Sequence, residues 1–362
     1  MGSDEDIFPQ EYFVYFKKKW QSQGTYLPKD AEASYLQFAQ TKQRKEAGSM
    51  KYLTKKICTL IITLFIVSLL AFLAFQVIPG DPTTALLGTE ATAEAREALR
   101  QELGFDRPVL LRYFDWLLNF LRGDMGMSYN YKMPVSEMLL DKLPITALLT
   151  LLSFGFTLVL SIPLGIWAGS TKSRALDLGV TVLDQIVMSV PSFFIGMLAC
   201  FVFGNLFRLF VPGDFVSYTV SWGACLGYLV LPALSIAIPR IAMTVKMLRS
   251  SIQTQLQQDY VRTSRSRGSG RKKILRRHVL KNALIPVITF LAVSAAEIMT
   301  GSIIVEQVFT IPGISRLLLA SISNRDFPVV QAIVVVMAAW IVVVNFVADL
   351  LYQLVDPRIR LR

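Results

Sequence analysis

Few residues in this sequence have the type and setting to do chemistry, and most of those are charges in apolar surroundings. Glu297 is the only ionisable residue between Asn282 and Val305. A lone carboxylate in an apolar helix is expensive in lipid, so it faces water or protein and marks either a pathway or a buried pair. Asp184 and Arg240, at the ends of two other apolar blocks, belong to the same class, and Glu306 follows at the far end of the Glu297 block. A second group is the guanidinium run Arg262, Arg265 and Arg267, bracketed by Asp259 and Gly268. Catalytic arrangements are missing. There is no GxxxxGK[ST] phosphate loop, and Gly268-Ser269-Gly270-Arg271-Lys272 is too short to replace one. His278, the single histidine, sits in a basic stretch where a structural role is the plainer reading. Cys58, Cys200 and Cys225 lie within apolar blocks without CxxC spacing, which reads as small buried residues rather than a metal or disulfide framework.

The elements that must hold these charges are membrane spans. Ile57 to Ile78, Ile145 to Thr171, Gln185 to Phe207, Phe215 to Pro239 and Phe327 to Ala348 carry no charge at all. With the Glu297 block that makes six stretches, each long enough for a helix to cross the hydrocarbon core. The 17% charged residues fall well short of the roughly 25% of a soluble domain. The net charge of +11 follows topology, which argues against a nucleic-acid partner. Residues 247–281 hold ten Lys and Arg against Asp259, while 79–144 hold seven basic and ten acidic residues. The positive-inside rule makes the first loop cytoplasmic and the second external. Lys51, Lys55 and Lys56 before the first span, and Arg358, Arg360 and Arg362 after the last, place both termini in the cytoplasm. The first apolar run is too long for a cleavable signal and reads as a retained span.

Residues 1–50 differ from the rest: polar, mixed in charge, with a basic-aromatic patch from Tyr12 to Trp20. Met50 resembles a start position, so a natural cytoplasmic extension and an added segment are both open. Residues 51–362 form the membrane domain. In its external loop, Thr92 to Leu103 reads as a helix capped by Gly104. Leu110 to Arg122 reads as an amphipathic helix with a polar stripe at Arg112, Asp115, Asn119 and Arg122, lying in the interface or over the span ends. Pro163, Pro191, Pro232, Pro239 and Pro286 are expected to interrupt the spans, as a translocation pathway permits.

The loop at 257–268 reads as a short exposed helix with Asp259 as N-cap, cations in its later turns, and Gly268 as its stop. A capped helix between two spans has a purpose when something docks on it. Here a resemblance enters. Asp259 through Gly268, with His278, Asn282 and Pro286 at set distances beyond, resembles the EAA loop of ABC importer permeases in its dipeptide, oligopeptide and nickel variant. The resemblance covers most of 51–362. It includes Gln76-Val77-Ile78-Pro79-Gly80-Asp81-Pro82, Gly123-Asp124-Met125-Gly126, Ser189-Val190-Pro191-Ser192-Phe193, Val305-Glu306-Gln307-Val308-Phe309 with Pro312-Gly313, Arg325-Asp326-Phe327-Pro328, and Asp356-Pro357-Arg358. Two departures stand out. Arg262-Thr263-Ser264 occupies the place of Glu-Ala-Ala, and Ser269-Gly270-Arg271 that of Leu-Ser-Glu.

The resemblance implies an all-α type I ABC importer permease fold in the prokaryotic cytoplasmic membrane. It implies a non-catalytic subunit beside a second, homologous permease, two ABC ATPases and an external solute-binding protein, with ATP and Mg held by the ATPases and no cofactor on this chain. It assigns ATPase coupling to Asp259, Tyr260, Arg262, Thr263, Ser264, Arg265 and Gly268. The cost of charge in the spans adds Glu297, Asp184 and Arg240 as translocation-pathway candidates, with a buried pair as the alternative for Glu297, and an external gate takes Glu306, Pro312, Gly313 and Asp124. The expected cargo is di- and oligopeptides, with nickel or a metallophore as the alternative. An ion-driven secondary transporter would need an inverted repeat and several intramembrane carboxylates, and an intramembrane enzyme would need a dyad. Neither is visible.

Overall fold

The computed structural model describes residues 54–74, 87, 91–102, 107–171 and 173–355. The Tyr12 to Trp20 patch, Gln76 to Pro82, the Gly104 cap and Asp356 to Arg358 lie outside them. Among the described residues the architecture is helical, with one isolated bridge between Met127 and Pro134. In chain order the helices are α1 (Thr54–Ala74), α2 (Ala93–Glu102), α3 (Val109–Leu121) and α4 (Val135–Ser170). Then come α5 (Arg174–Ser189), α6 (Ser192–Ala199, continued by a π turn at Cys200–Leu206) and α7 (Trp222–Leu256). Last are α8 (Asp259–Ser266), α9 (Arg271–Val308, with a π turn at Leu275–Val279), α10 (Ile314–Ser323) and α11 (Phe327–Val355). From Leu60 onward the described elements form one compact unit.

Five helices are long and apolar enough to cross a bilayer: α1, α4, α7, α9 and α11 over Phe327–Leu350. The third expected span is different. α5 and α6 meet at a 92° bend, so the charge-free block Gln185 to Phe207 is the last turn of one helix and the whole of the next. The cause is local. Val190 precedes a proline and is held extended (φ −94°, ψ 122°), which ends α5, and Pro191 then opens α6. The other prolines do not interrupt their helices, contrary to expectation. Pro163 lies within α4, Pro232 and Pro239 within α7, and Pro286 within α9. Neighbouring packing keeps those helices continuous.

α3 meets its amphipathic expectation. Tyr113 is buried against Phe65 and Phe72 of α1, and its hydroxyl lies 2.8 Å from Ser68 Oγ. Leu110, Leu111, Phe114, Leu118 and Leu121 stay exposed, as suits a helix lying on a membrane surface. Of the cysteines, only Cys225 is buried; Cys200 is half-buried and Cys58 is exposed on α1. The single-helix surface of α1 is what lipid would cover.

α4 and α7 form the most intimate pair. Buried hydroxyls along α4 bond back into the helix, Thr150 to the Thr146 carbonyl, Ser153 to Leu149 and Thr157 to Ser153. Gly165 and Gly169, four apart, share one face of α4. A Cβ on Gly165 would lie 2.8 Å from Leu248 Cδ2. On Gly169 it would lie 2.9 Å from Ile252 Cβ and 3.2 Å from the Arg249 Cα. Small residues at this spacing let two backbones approach inside a membrane. Gly169→Ala is therefore expected to destabilise the bundle by about 1–3 kcal/mol through overpacking against backbone. Gly155→Ala, with nothing within 4 Å of its Cβ, is the neutral comparison. The yield of monodisperse protein extracted from membranes checks this.

Three apolar clusters form the core of the described residues. One gathers Val135, Leu139, Ile314, Leu318 and Ile333 beside α10. A second joins Leu149, Leu229, Ile298 and Phe309. The third joins Leu248, Ile252, Val261, Ile274, Val279 and Ala283 beside α8.

Candidate functional site

The short helix α8 is built from a run of polar residues around one apolar anchor. Val261 is 1% exposed in the third cluster, and Tyr260 is half-buried, its hydroxyl donating to Gln255 Oε1 at 2.8 Å. Arg262, Thr263 and Arg265 are exposed, and Ser264 is half-buried. The start of the helix differs from expectation. Gln258, extended at φ −72° and ψ 153°, is the N-cap, and Asp259 is the first helical residue. Its exposed carboxylate makes no side-chain cap and pairs instead with Arg262, one turn on, at 3.6 Å. At the N-terminal end of the dipole the charge is favourable either way.

The stop is as expected. Gly268 adopts φ +75°, its N–H donates to the Arg265 carbonyl at 2.9 Å, and the Ser269 N–H reaches the Ser264 carbonyl at 3.2 Å. This is a Schellman turn, and its left-handed residue favours glycine. The turn leads into α9, whose Arg271 Nη2 donates to the Ser170 carbonyl at 2.6 Å and so ties it to the end of α4. Between α8 and the start of α9 lies an open groove of about 520 Å³, lined by Thr263, Ser264, Arg267, Lys273, Arg277 and His278 among others. With Tyr260 and Ser269, four basic or imidazole side chains and four hydroxyls make it a surface for acidic groups.

The pathway candidates separate into two places. Arg240 of α7 and Glu297 of α9 come together, Nη1 to Oε2 at 2.5 Å, with side chains 25% and 53% exposed. They border a cleft of about 500 Å³ shared with α11. Asp184 belongs to α5 and packs against another face of α7, 5% exposed in an apolar crevice with Trp167, Ile241 and Val245. One of its oxygens has no hydrogen-bond partner, and it does not join the pair.

At the opposite end from α8, Glu306 is fully buried and joins three elements. It accepts from Thr146 Oγ1 of α4 at 2.8 Å and from the Ser315 N–H of α10 at 2.9 Å. Thr146 Oγ1 in turn accepts the Ile314 N–H at 2.9 Å. Gly313 lies against this carboxylate, and Pro312 is half-buried beside it. Asp124 stands apart, exposed, accepting the Gly126 N–H at 2.9 Å to shape a turn.

Three further residues carry contacts to which the sequence assigned no role. Val261 could have been found as the aliphatic residue in an otherwise polar helix. Asp326 is fully buried and accepts from Ser128 Oγ at 2.5 Å and from the Tyr129 and Asn130 N–H groups, which pins the α3–α4 loop to the start of α11. Burial pushes the Tyr129 hydroxyl above the ordinary tyrosine value. Asp326 adds to the shift and Arg112 opposes it. Asp177 of α5 holds Arg249 of α7, Oδ1 to Nη2 at 2.6 Å, with Gln253 Nε2 at 2.9 Å on the same oxygen. No local signal in the sequence marks either partner choice.

Five long apolar helices, an Arg–Glu pair bordering a cleft and an exposed helix between two of them make the architecture of a multi-pass membrane protein. Residues 161–361 match the family described as binding-protein-dependent transport system inner membrane component, and residues 49–150 match its N-terminal membrane component. The oligopeptide transport system permease protein AppB of Bacillus subtilis is 34% identical over 311 residues, 85% of this chain and 98% of its own. The glutathione transport system permease protein GsiC of Escherichia coli is 33% identical over 316 residues, 86% and 99% of the two chains. A Brucella abortus relative, provisionally named as a peptide transport system permease protein, is 35% identical over 306 residues, 84% and 98%. The chain belongs to the family of binding-protein-dependent transport system inner membrane components, the ABC importer permeases. It is a multi-pass protein of the cytoplasmic membrane with the all-α type I permease fold.

Proposed function

We propose that this chain forms half of the translocation pathway of an ATP-driven peptide importer, beside a second, homologous permease. Its termini and α8 face the cytoplasm, two ATPases dock there, and a solute-binding protein docks on the α10 side. Residues 51–362 are its transport domain. The observation that carries the reading is α8 itself: an exposed helix closed by the Gly268 turn and anchored by Val261 among residues of α7 and α9. A partner seated on Arg262, Thr263, Ser264 and Arg265 can move those spans through that anchor. The chain carries no phosphate loop, so ATP and Mg belong to the partners, and its role is non-catalytic. The relatives are named for peptide, oligopeptide and glutathione transport, which favours peptides over nickel. Glu306, Gly313 and Pro312 brace the external end, with Asp124 in the neighbouring loop.

The test is ATP hydrolysis by the complex in lipid, with and without binding protein loaded with peptide. Stimulation by the peptide-loaded protein is the expected result. Stimulation by nickel alone moves the cargo to metal, and absence of an associated ATPase ends the reading. Gly268→Pro is expected to lower stimulated hydrolysis and uptake to background. Proline cannot adopt φ +75° and has no N–H for the Arg265 carbonyl. Arg262→Glu, which reverses one docking charge and breaks the Asp259 pair, is expected to weaken coupling most at low salt and less as salt screens the charges.

A further inference from the structure

The Arg240–Glu297 pair sits where an ion pair is hardest to keep. Glu297 lies eleven positions before Val308, which places it about 16 Å below the end of α9 at 1.5 Å per residue. Both side chains are partly exposed, and Val293, Thr300 and Gly301 continue the same exposed face of α9. A half-exposed ion pair at that depth cannot look on hydrocarbon without heavy cost, so this face borders water or another protein. The cleft before it, about 500 Å³, is the size of a small-ligand site. Thr300 and Asn345 add a hydroxyl and an amide to its lining.

We infer that this pair is a charge-exchange site for a zwitterion: the free ammonium of a peptide passes to Glu297 and its free carboxylate to Arg240. This rests on the pathway reading above. The chemistry follows from the count of charges. The closed site is neutral and has one contact of 2.5 Å. A singly charged ligand takes one partner and leaves the other unpaired at membrane depth, which is costly. A zwitterion replaces one ion pair by two, so its desolvation is offset as the internal bridge opens. The site discriminates by leaving a charge unmatched for every wrong ligand. When the peptide leaves, Arg240 and Glu297 close on each other and no bare charge remains. Asn345 is placed to hydrogen-bond peptide amides within the same cleft.

The experiment uses the assembled transporter in lipid vesicles without the binding protein. The transporter carries Thr300→Cys, with Cys58, Cys200 and Cys225 changed to alanine. The readout is the rate of labelling by a membrane-impermeant maleimide. Trialanine is expected to slow labelling about tenfold once the site is saturated, and N-acetyl-trialanine amide to leave it unchanged. In the Arg240→Gln/Glu297→Gln double variant that discrimination is expected to vanish, and in Arg240→Glu/Glu297→Arg to return. Equal slowing by both peptides, or by neither, in the unaltered pair overturns the zwitterion site while leaving the pathway in place. A Thr300→Cys that never labels, with or without peptide, overturns the pathway reading together with this one.

Discussion

Val261→Asp is expected to leave the transporter in the membrane but unable to link ATP hydrolysis to uptake. α8 is eight residues long, too short to hold its shape alone. Its attachment is one aliphatic side chain, 1% exposed among Leu248, Ile252, Ile274 and Val279, supported by the Tyr260–Gln255 hydrogen bond. The rest of its surface is polar and mostly exposed. A carboxylate at 261 must either stay buried without a partner or pull α8 out of its seat, and a penalty of about 3 kcal/mol shifts the seated population more than a hundredfold. The spans themselves keep their packing, because the lost contacts lie at one end of the bundle. Hydrolysis stimulated by loaded binding protein should fall to the unstimulated rate, and uptake with it. Val261→Ile, which adds one methylene, should retain both, and Val261→Ala should fall between. Normal stimulated hydrolysis in the aspartate variant would mean that the docked partner moves the spans through another contact.

That anchor also shows where sequence reading stops. The charge-free blocks disclosed the long apolar helices, because lipid demands length and apolarity of every crossing helix, though the block Gln185 to Phe207 proved to be bent. Gly268 was legible as a stop because few residue types tolerate its backbone. The one-residue error at Asp259 comes from reading a side chain's capping ability without knowing where the backbone turns; Gln258 is extended, so the helix starts after it. Pro191 and Pro232 look alike in sequence and behave differently. The first is preceded by an extended valine that ends α5, while the second runs inside α7. Partnerships were the least legible feature. Arg240 and Glu297 were singled out separately, each for its cost in lipid, and only the crossing of α7 and α9 makes them a pair. Asp184 carried the same cost and lies on another face. The Gly165 and Gly169 contact is a packing fact about α7, not visible in α4 alone.

Glu306→Ala is expected to cause the largest loss of stability of any single change at the α10 end. The carboxylate closes the start of α10, where backbone donors have no partner within the helix. Gly313, the N-cap, has no side chain to serve them, so Glu306 and Thr146 from two other helices do. Removing the carboxylate leaves the Thr146 hydroxyl and the Ser315 N–H, both buried, without acceptors. At about 1–3 kcal/mol for each unsatisfied group, the loss is roughly 2–6 kcal/mol. For a bundle of this size the unfolding midpoint in detergent should fall by about 10 °C. Glu306→Gln should fall less, because its one carbonyl oxygen can serve a single donor while its amide faces the other. Gly313→Ala attacks the same lock from the opposite side, since its Cβ would lie within bonding-clash range of the Glu306 carboxylate and 2.6 Å from Thr146 Oγ1. The two changes are therefore expected to be non-additive. With the carboxylate gone, the added methyl has part of its space, so the double variant should lose less than the sum of the singles. The thermal midpoints of all four proteins complete that cycle. An additive result would mean that Gly313 is required for the backbone path of the α9–α10 turn rather than for room beside Glu306.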